Sequence, residues 1–400
     1  MTSTASVSVA TPTSAPALVR PGWAGVIALM VAIFTLVTSE FLPASLLPLM
    51  ATDFGITEGV AGQVVTATAL VGMIAAPGVG LLFPRLDRRR LLIGLLVLAL
   101  LSNVLTAVAP SYAVVVAARL VLGISIAGAW SMALAVASHL VPADKLGRAM
   151  SVVNLGVAGA TVAAVPLGAL ISSLAGWRAV FWAVAAATGI AIVLFVVVMP
   201  SVPASAAGGL RTLVAVLRSR VMLVGLVGLA ILVAGHFGSY TFIRTAAEGV
   251  PGLTPATIAV LLAVYGTGGL LGNLMSGLVA DRRLGLAMTM VPAIIAVAII
   301  GFSLSTGSAV LVFVAVALWG IGFGAIPTTS QTWVSRAEPD RVEAAGGLFV
   351  ATFQLAIASG AALGGLLLDT TDIRTVFLAG GVAVAVGGAL LLSTRRRLSH

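Results

Sequence analysis

Residues 86–109 read LDRRRLLIGLLVLALLSNVLTAVA, in which a basic cluster precedes nineteen residues without a charge. An α-helix rises about 1.5 Å per residue, so this run is long enough to cross the roughly 30 Å of hydrocarbon in a bilayer. Short charged clusters between long apolar runs recur along the whole chain. The short alternating segments of a membrane barrel are not seen. The pattern therefore predicts an all-α membrane protein.

The composition sets the number of spans. Of the 400 residues, 60% are hydrophobic and only 8% are charged, whereas soluble domains carry about a quarter charged residues. One membrane helix with its loop occupies about 33 residues, so the chain has room for roughly twelve spans. We expect them at about residues 23–48, 60–82, 91–109, 112–137, 149–174, 179–199, 221–246, 256–280, 285–304, 308–333, 345–368 and 375–394.

The basic residues give the orientation. The net charge is +9, and seventeen of the 21 basic residues fall in loops on one side of the predicted membrane. Loops rich in Lys and Arg face the cytoplasm, so we expect both termini inside, in a bacterial inner membrane. The charge therefore sets topology, and nucleic acid is not an expected partner. Residues 1–22 lack the pattern of a signal peptide and are predicted to be a disordered cytoplasmic tail. Residues 395–400 are predicted to be a second cytoplasmic tail.

An internal repeat divides the chain in two. Asp87-Arg88-Arg89 returns 194 residues later as Asp281-Arg282-Arg283, and Arg178-Ala-Val-Phe181 returns 196 residues later as Arg374-Thr-Val-Phe377. Two further pairs of short motifs recur at an offset of 196. The repeat predicts two six-helix halves, at 23–199 and 221–394, joined by a linker at 200–220. Such halves packed around a central cavity are typical of alternating-access transporters.

Three ionisable residues lie inside predicted spans, where a charge is costly and needs a function. They are Glu40 in span 1, Arg119 in span 4 and His236 in span 7. Glu40 and Arg119 both fall in the outer half of the membrane, so they could pair or share a hydrogen-bonded network. We expect Glu40 to exchange protons; the alternative is a hydrated carboxyl near the outer rim. His236 could carry a proton, contact substrate or serve as a hydrogen-bonded packing residue.

Aromatic and polar side chains in the spans are candidates for substrate binding. Trp130 lies about 20° around the helix from Arg119, so both would face one direction. The full candidate set is Trp130, Phe237, Tyr240, Asn273, Gln331, Trp333 and Gln354. Such groups suit a neutral ligand with an aromatic face and hydrogen-bonding edges. The alternatives are hydrogen bonds between helices and, for Trp130, lipid contact or helix packing.

Other chemistries are not expected. The glycine-rich stretch 266–272 lies inside an apolar span and follows no strand, so it indicates close helix packing rather than a phosphate site. Cysteine is absent, and the three histidines are too dispersed for a metal site. We find no Walker sequence and no clustered nucleophile and base, so we expect neither a cofactor nor an enzyme.

The sequence resembles the major facilitator superfamily. Arg119-Leu-Val-Leu-Gly123, Val165-Pro-Leu-Gly168 and Gly277-Leu-Val-Ala-Asp281-Arg282 look like its signatures. The resemblance implies gating loops at Asp87, Arg88, Arg89, Asp281 and Arg282. The first of these loops is contracted, because it lacks the glycine that the family has before the last basic pair.

The resemblance narrows to the drug:proton antiporters and, among them, to bacterial purine ribonucleoside efflux pumps. The similar blocks include Glu40-Phe-Leu-Pro-Ala-Ser-Leu-Leu47, Gly176-Trp-Arg-Ala-Val-Phe181 and Tyr240-Thr-Phe-Ile-Arg244. It implies proton-coupled export of inosine, guanosine and purine analogues. Efflux of chloramphenicol-like drugs or of sugars by the same fold is the alternative. We expect a monomer whose partners are a small-molecule substrate, protons and lipid.

Overall fold

The computed structural model describes residues 22–61, 63–204, 209–305 and 307–395. The predicted tails lie almost entirely outside these residues. The α-helices of the described part are α1 (Trp23–Phe54), α2 (Glu58–Ala61), α3 (Gln63–Leu82), α4 (Arg88–Ala107), α5 (Tyr112–Leu140), α6 (Leu146–Ala175), α7 (Trp177–Val198), α8 (Leu210–Arg218), α9 (Arg220–Tyr240), α10 (Ile243–Glu248), α11 (Pro255–Leu304), α12 (Ala309–Ala337), α13 (Val342–Thr370) and α14 (Ile373–Ser393).

The helices account for the twelve predicted spans. Nine helical segments of the described residues are long and apolar enough to cross a membrane. One of them, α11, has 50 residues and leaves helical geometry at Arg283, so it contains predicted spans eight and nine. Helices α3 and α6, with 20 and 30 residues, supply the remaining two. The predicted twelve-helix fold is confirmed.

The helices pack as two groups that follow the sequence repeat. In the first half, α1 packs on α6 and α7, α3 packs on α5, and α4 packs on α5 and α7. In the second half, α9 packs on α13 and α14, and α11 packs on α12 and α14. The halves meet where α6 contacts α11 and α12, and where α13 contacts α3 and α5. Helix α8 lies in the predicted linker.

The glycine-rich stretch in α11 serves close packing, as expected from the sequence. A Cβ atom at Gly272 would overlap the carbonyl oxygen of Ile321 in α12. In return, a Cβ atom at Gly324 of α12 would overlap the carbonyl oxygen of Gly269. Small residues at such contacts let helix backbones approach closely in a membrane.

Candidate functional site

The two halves are joined at the side of the molecule that carries loops 85–90, 145–148 and 336–341, which we call the basic side. Arg88, at the start of α4, places its Nε 2.6 Å from Oε2 of Glu343, at the start of α13. Arg88 is 1% exposed, and its guanidinium also donates to the carbonyl oxygens of Phe83 and Leu86. A buried cation of the first half therefore has its counter-ion in the second half.

Asp281 forms the second connection on the basic side. Its carboxylate accepts from the backbone N–H groups of Gly147, at 2.5 Å, and Arg148, at 3.1 Å, in the first turn of α6. The Arg148 side chain also lies 3.4 Å from this carboxylate. A carboxylate at a helix N-terminus satisfies N–H groups that have no partner within the helix. The second half thus caps a helix of the first.

The residues expected in the gating loops differ in their contacts. Asp281 and Arg88 contact the opposite half, as described above. Asp87 instead caps its own helix by accepting from the Arg90 N–H at 3.1 Å, and it accepts a hydrogen bond from Ser201. Arg89 donates to the Val196 carbonyl oxygen, and Arg282 is exposed. In the contracted first loop, therefore, the arginine rather than the aspartate reaches across.

A layer of polar side chains crosses between the halves further along the same interface. Asn154 of α6 donates to Thr328 Oγ1 at 3.0 Å and to Gln331 Oε1 at 3.1 Å, both in α12. Asn273 of α11 accepts from the Thr328 hydroxyl at 2.9 Å and donates to the Ser151 carbonyl at 2.9 Å. Asn273 and Gln331, two expected substrate residues, are therefore engaged in the interface in this conformation.

Arg119 is buried in the first half without an acidic partner among the described residues. It is 1% exposed, and its guanidinium donates to the Ser39 carbonyl at 2.9 Å and to Thr106 Oγ1 at 3.0 Å. The guanidinium also lies 4.9 Å from the centre of the Phe181 ring. Asn103 extends the network by donating to Ser39 Oγ at 2.9 Å. The signal for this network was the pair of small polar residues Asn103 and Thr106 in predicted span 3, which was not among the predicted site residues.

Glu40 is half-buried in α1, directly after Ser39. In the part of the chain that the structure describes, no hydrogen bond or ion pair reaches its carboxylate. Of the two arrangements expected for Glu40 and Arg119, the structure therefore does not show a direct pair. Arg119 instead holds the backbone of the residue before Glu40.

His236 lies at the centre of an aromatic cluster, which we define as His236, Phe237, Tyr240, Tyr265, Trp319 and Phe323. Its ring stacks on Phe323 with centroids 3.7 Å apart and lies nearly parallel to Tyr240 at 5.5 Å. Phe237 meets it edge-on at 4.8 Å. Phe237, Tyr240 and Phe323 are half-buried, whereas His236 is fully buried. The structure thus brings together three of the expected site residues and adds Phe323, which no sequence pattern singled out.

Hydrogen bonds define the protonation of the His236 ring. The indole N–H of Trp319 donates to Nδ1 at 2.9 Å, so Nδ1 carries no proton. A neutral ring then holds its proton on Nε2, which lies 3.4 Å from the Tyr265 hydroxyl. A second proton on His236 would require the Trp319 hydrogen bond to break.

The remaining candidates lie in different surroundings. Trp130 and Gln354 are half-buried. Trp333 is fully buried and donates to Thr394 Oγ1 at 3.0 Å, at the end of α14. Its ring also packs against Gly225 of α9. Trp333 therefore belongs to the core of the second half, and its position gives no support to substrate contact.

Two six-helix halves, joined by polar contacts at one side, are the architecture of membrane transport proteins. Comparison with known proteins identifies the family. The Major Facilitator Superfamily model matches residues 29–341 and 251–400, and the chain belongs to this family. The protein is accordingly a transporter and not an enzyme.

Individual relatives cover nearly the whole chain. The purine ribonucleoside efflux pump NepI of Escherichia coli K12 is 33% identical over 385 residues, which cover 96% of this chain and 97% of NepI. The transcription regulatory protein OpdE of Pseudomonas aeruginosa is 35% identical over 378 residues, 94% of each chain. Among solved structures, the transporter FucP in its outward conformation superimposes with a TM-score of 0.79 at 15% identity, covering 95% of this chain and 100% of FucP.

Proposed function

We propose that the protein is a proton-coupled antiporter that exports purine ribonucleosides, such as inosine and guanosine, and purine analogues. The observation that carries the proposal is the similarity to NepI along nearly the full length of both chains. The aromatic cluster supports it, because half-buried rings offer stacking surfaces to a flat base.

The proposed orientation places the basic side in the cytoplasm of a bacterium, with both termini inside. The positive-inside rule supports this assignment. The contacts of Arg88 with Glu343 and of Asp281 with α6 would then close the cytoplasmic side. In that orientation, these contacts would have to break before substrate could enter from the cytoplasm.

Glu40 is our candidate for the proton-exchanging group. Its half-buried carboxyl group has no partner among the described residues, so protonation would cost no existing hydrogen bond. Arg119 would position the α1 backbone beside it. His236, whose Nδ1 accepts from Trp319, would hold the binding site in shape in this conformation. A neutral nucleoside exchanged for a proton moves net charge, so transport should respond to membrane potential at about 2.3 kcal/mol per charge per 100 mV.

Phe237 and Tyr240 are proposed to stack on the base, with Trp130 and Gln354 as further contacts. Asn273 and Gln331 would become available to substrate once the halves separate on the basic side. This assignment follows from their present hydrogen bonds to Ser151 and Asn154, which would break in that movement.

Proteoliposomes with an imposed pH gradient test the proposal. We expect the wild type to accumulate radiolabelled inosine against its gradient and Glu40→Gln to lose this accumulation while retaining exchange of inosine for inosine. Glu248→Gln is a matched control, because Glu248 is an exposed carboxylate paired only with Arg244 in the described residues. Native accumulation by Glu40→Gln would contradict the proton role.

A substrate panel separates the alternatives. The panel measures how strongly each compound competes with inosine. Stronger competition by chloramphenicol-like drugs or by sugars than by purine nucleosides would favour a drug or sugar exporter. The name of the Pseudomonas relative describes a transcription regulatory protein. A chain acting only in that way would carry none of these compounds.

A further inference from the structure

Three hydrogen-bonding rings form a chain through the aromatic cluster, from Trp319 through His236 to Tyr265. An indole nitrogen can only donate, so the 2.9 Å contact from Trp319 makes His236 Nδ1 an acceptor. The neutral imidazole then carries its proton on Nε2 and donates it to the Tyr265 hydroxyl oxygen, 3.4 Å away. The direction of both hydrogen bonds is therefore fixed by Trp319.

This direction leaves the Tyr265 hydroxyl with a proton to donate. The hydroxyl oxygen already accepts from His236, and none of the described residues accepts the hydroxyl proton. Tyr265 is buried, and buried polar groups are nearly always hydrogen-bonded. The cluster therefore presents a donor that needs an acceptor from outside the described chain.

We infer that Tyr265 is a specificity-determining residue that selects a ligand carrying a hydrogen-bond acceptor. The inference rests on the proposed function. Tyr240, which is half-buried, packs on Tyr265 with ring centroids 4.8 Å apart. Tyr240 stands nearly perpendicular to Phe237, so a base stacked on one of these rings would meet the edge of the other and lie near Tyr265.

The chemistry of the purine base turns this donor into a discriminating group. A 6-oxopurine, as in inosine, places a carbonyl acceptor at position 6, whereas a 6-aminopurine, as in adenosine, places an amino donor there. A fixed donor facing an amino group leaves both unsatisfied, and a site built to hydrogen-bond a substrate group rejects analogues that lack it. Tyr265 therefore favours 6-oxopurine nucleosides over 6-aminopurine nucleosides.

Counterflow into proteoliposomes tests this preference with radiolabelled inosine and adenosine. We expect wild type to prefer inosine and Tyr265→Phe to reduce the inosine-to-adenosine ratio by about 3- to 10-fold, the range of one net hydrogen bond. Trp319→Phe keeps the Tyr265 hydroxyl but releases the His236 tautomer, so Tyr265 can donate to His236 and accept from a ligand. Trp319→Phe should therefore reduce the inosine-to-adenosine ratio by a similar factor, whereas a loss of packing alone would leave this ratio unchanged.

A matched control and an unmodified-protein arm complete the design. Tyr112 lies in the first half, away from the aromatic cluster, and its hydroxyl donates to the carbonyl oxygen of Val60 at 2.5 Å. Tyr112→Phe should therefore leave the ratio unchanged. The unsubstituted purine ribonucleoside, which has no group at position 6, should be carried less well than inosine by wild type and equally well by Tyr265→Phe. The comparison of inosine with the unsubstituted nucleoside in wild type measures the contribution of the Tyr265 hydroxyl to selectivity, even where a variant fails to fold.

The outcomes are distinct. If wild type carries inosine but prefers it neither to adenosine nor to the unsubstituted nucleoside, the role of Tyr265 is overturned and the proposed function stands. An unchanged ratio in Tyr265→Phe or in Trp319→Phe also overturns the role. If wild type carries no purine nucleoside, the proposed function fails and this assignment fails with it.

Discussion

Arg88 and Glu343 are separated by 255 positions in the sequence, yet Arg88 Nε lies 2.6 Å from Glu343 Oε2 across the boundary between the halves. The pair is largely buried, with side chains 1% and 11% exposed. Removing one member of such a pair leaves the other charge without compensation, which is more costly than losing a surface ion pair. The closed basic side therefore depends on both residues.

Glu343→Gln should favour separation of the halves on the basic side. We expect the closed state to lose about 1–3 kcal/mol, or roughly 5- to 150-fold in population ratio. The chain has no cysteine, so Ser131→Cys introduces a unique thiol. Ser131 and Glu343 line one cavity at the interface, and labelling of this thiol should be faster when Glu343→Gln is also present. Glu248→Gln, which breaks an exposed pair within one half, should leave labelling unchanged. Equal rates for Glu343→Gln and wild type would refute the prediction.

Thr328→Val should loosen the polar layer between the halves. The Thr328 hydroxyl accepts from Asn154 and donates to Asn273, so its loss leaves two buried amides short of a partner, at a cost of about 1–3 kcal/mol. Asp144 and Asp340 are exposed positions in equivalent turns of the two halves. Spin labels on cysteines introduced there should report longer distances in Thr328→Val than in the unaltered protein. Thr188→Val is the control, because the one partner of that buried hydroxyl in the described part of the chain is the Val184 carbonyl of its own helix. The same distance distribution in both variants would argue against this role.

Gly225→Ala should destabilise the second half. A Cβ atom there would overlap the Trp333 ring, which is fully buried and held by its hydrogen bond to Thr394. Overpacking of this kind costs about 1–3 kcal/mol, and thermal unfolding in detergent should show a lower midpoint. Gly189→Ala places its Cβ in open space and should be neutral or slightly stabilising, because alanine favours helix. A midpoint for Gly225→Ala equal to that of Gly189→Ala would disprove the contact.

Asp53 should contribute a pH-dependent increment of stability. A hydrogen bond from Arg178 lowers the pKa of Asp53 and ties the end of α1 to the start of α7. A lowered pKa in the folded state gives stability above the ordinary pKa of about 3.9, and this stability disappears as the pH falls through the folded-state value. Because both side chains are about 40% exposed, the contribution stays below about 1 kcal/mol.

The pH dependence is measured by comparing thermal midpoints of wild type and Asp53→Asn. The variant should be less stable at neutral pH, and the difference should vanish at strongly acidic pH. Asp369→Asn removes an exposed carboxylate that has no ion pair among the described residues, so it controls for net charge. A difference between wild type and Asp53→Asn that persists at acidic pH would rule out the ion pair as its cause.

The sequence was sufficient to predict the spans, because hydrophobic length and charge placement are local properties of the chain. The break at Arg283 in α11 falls between predicted spans eight and nine, where the basic cluster is found. The repeat likewise predicted the two halves. These features need no knowledge of which helices touch.

Side-chain partners were harder to predict, because they depend on helix rotation and on contacts between distant segments. Helical spacing explains why Phe237 and Tyr240, one and four positions after His236, contact its ring. It could not show that Trp333 turns into the core of the second half, or that Arg119 reaches the Ser39 backbone rather than the Glu40 carboxylate. Phe323 was missed because one phenylalanine in an apolar helix carries no distinguishing signal.

The capping of α6 by Asp281 makes two backbone amides sensitive to the state of the whole molecule. While the halves are closed on the basic side, the Gly147 and Arg148 N–H groups are hydrogen-bonded to that carboxylate. Separation of the halves would remove their acceptor and leave them open to water. Deuterium uptake at these two amides would therefore follow each opening of the transporter without any label attached to it.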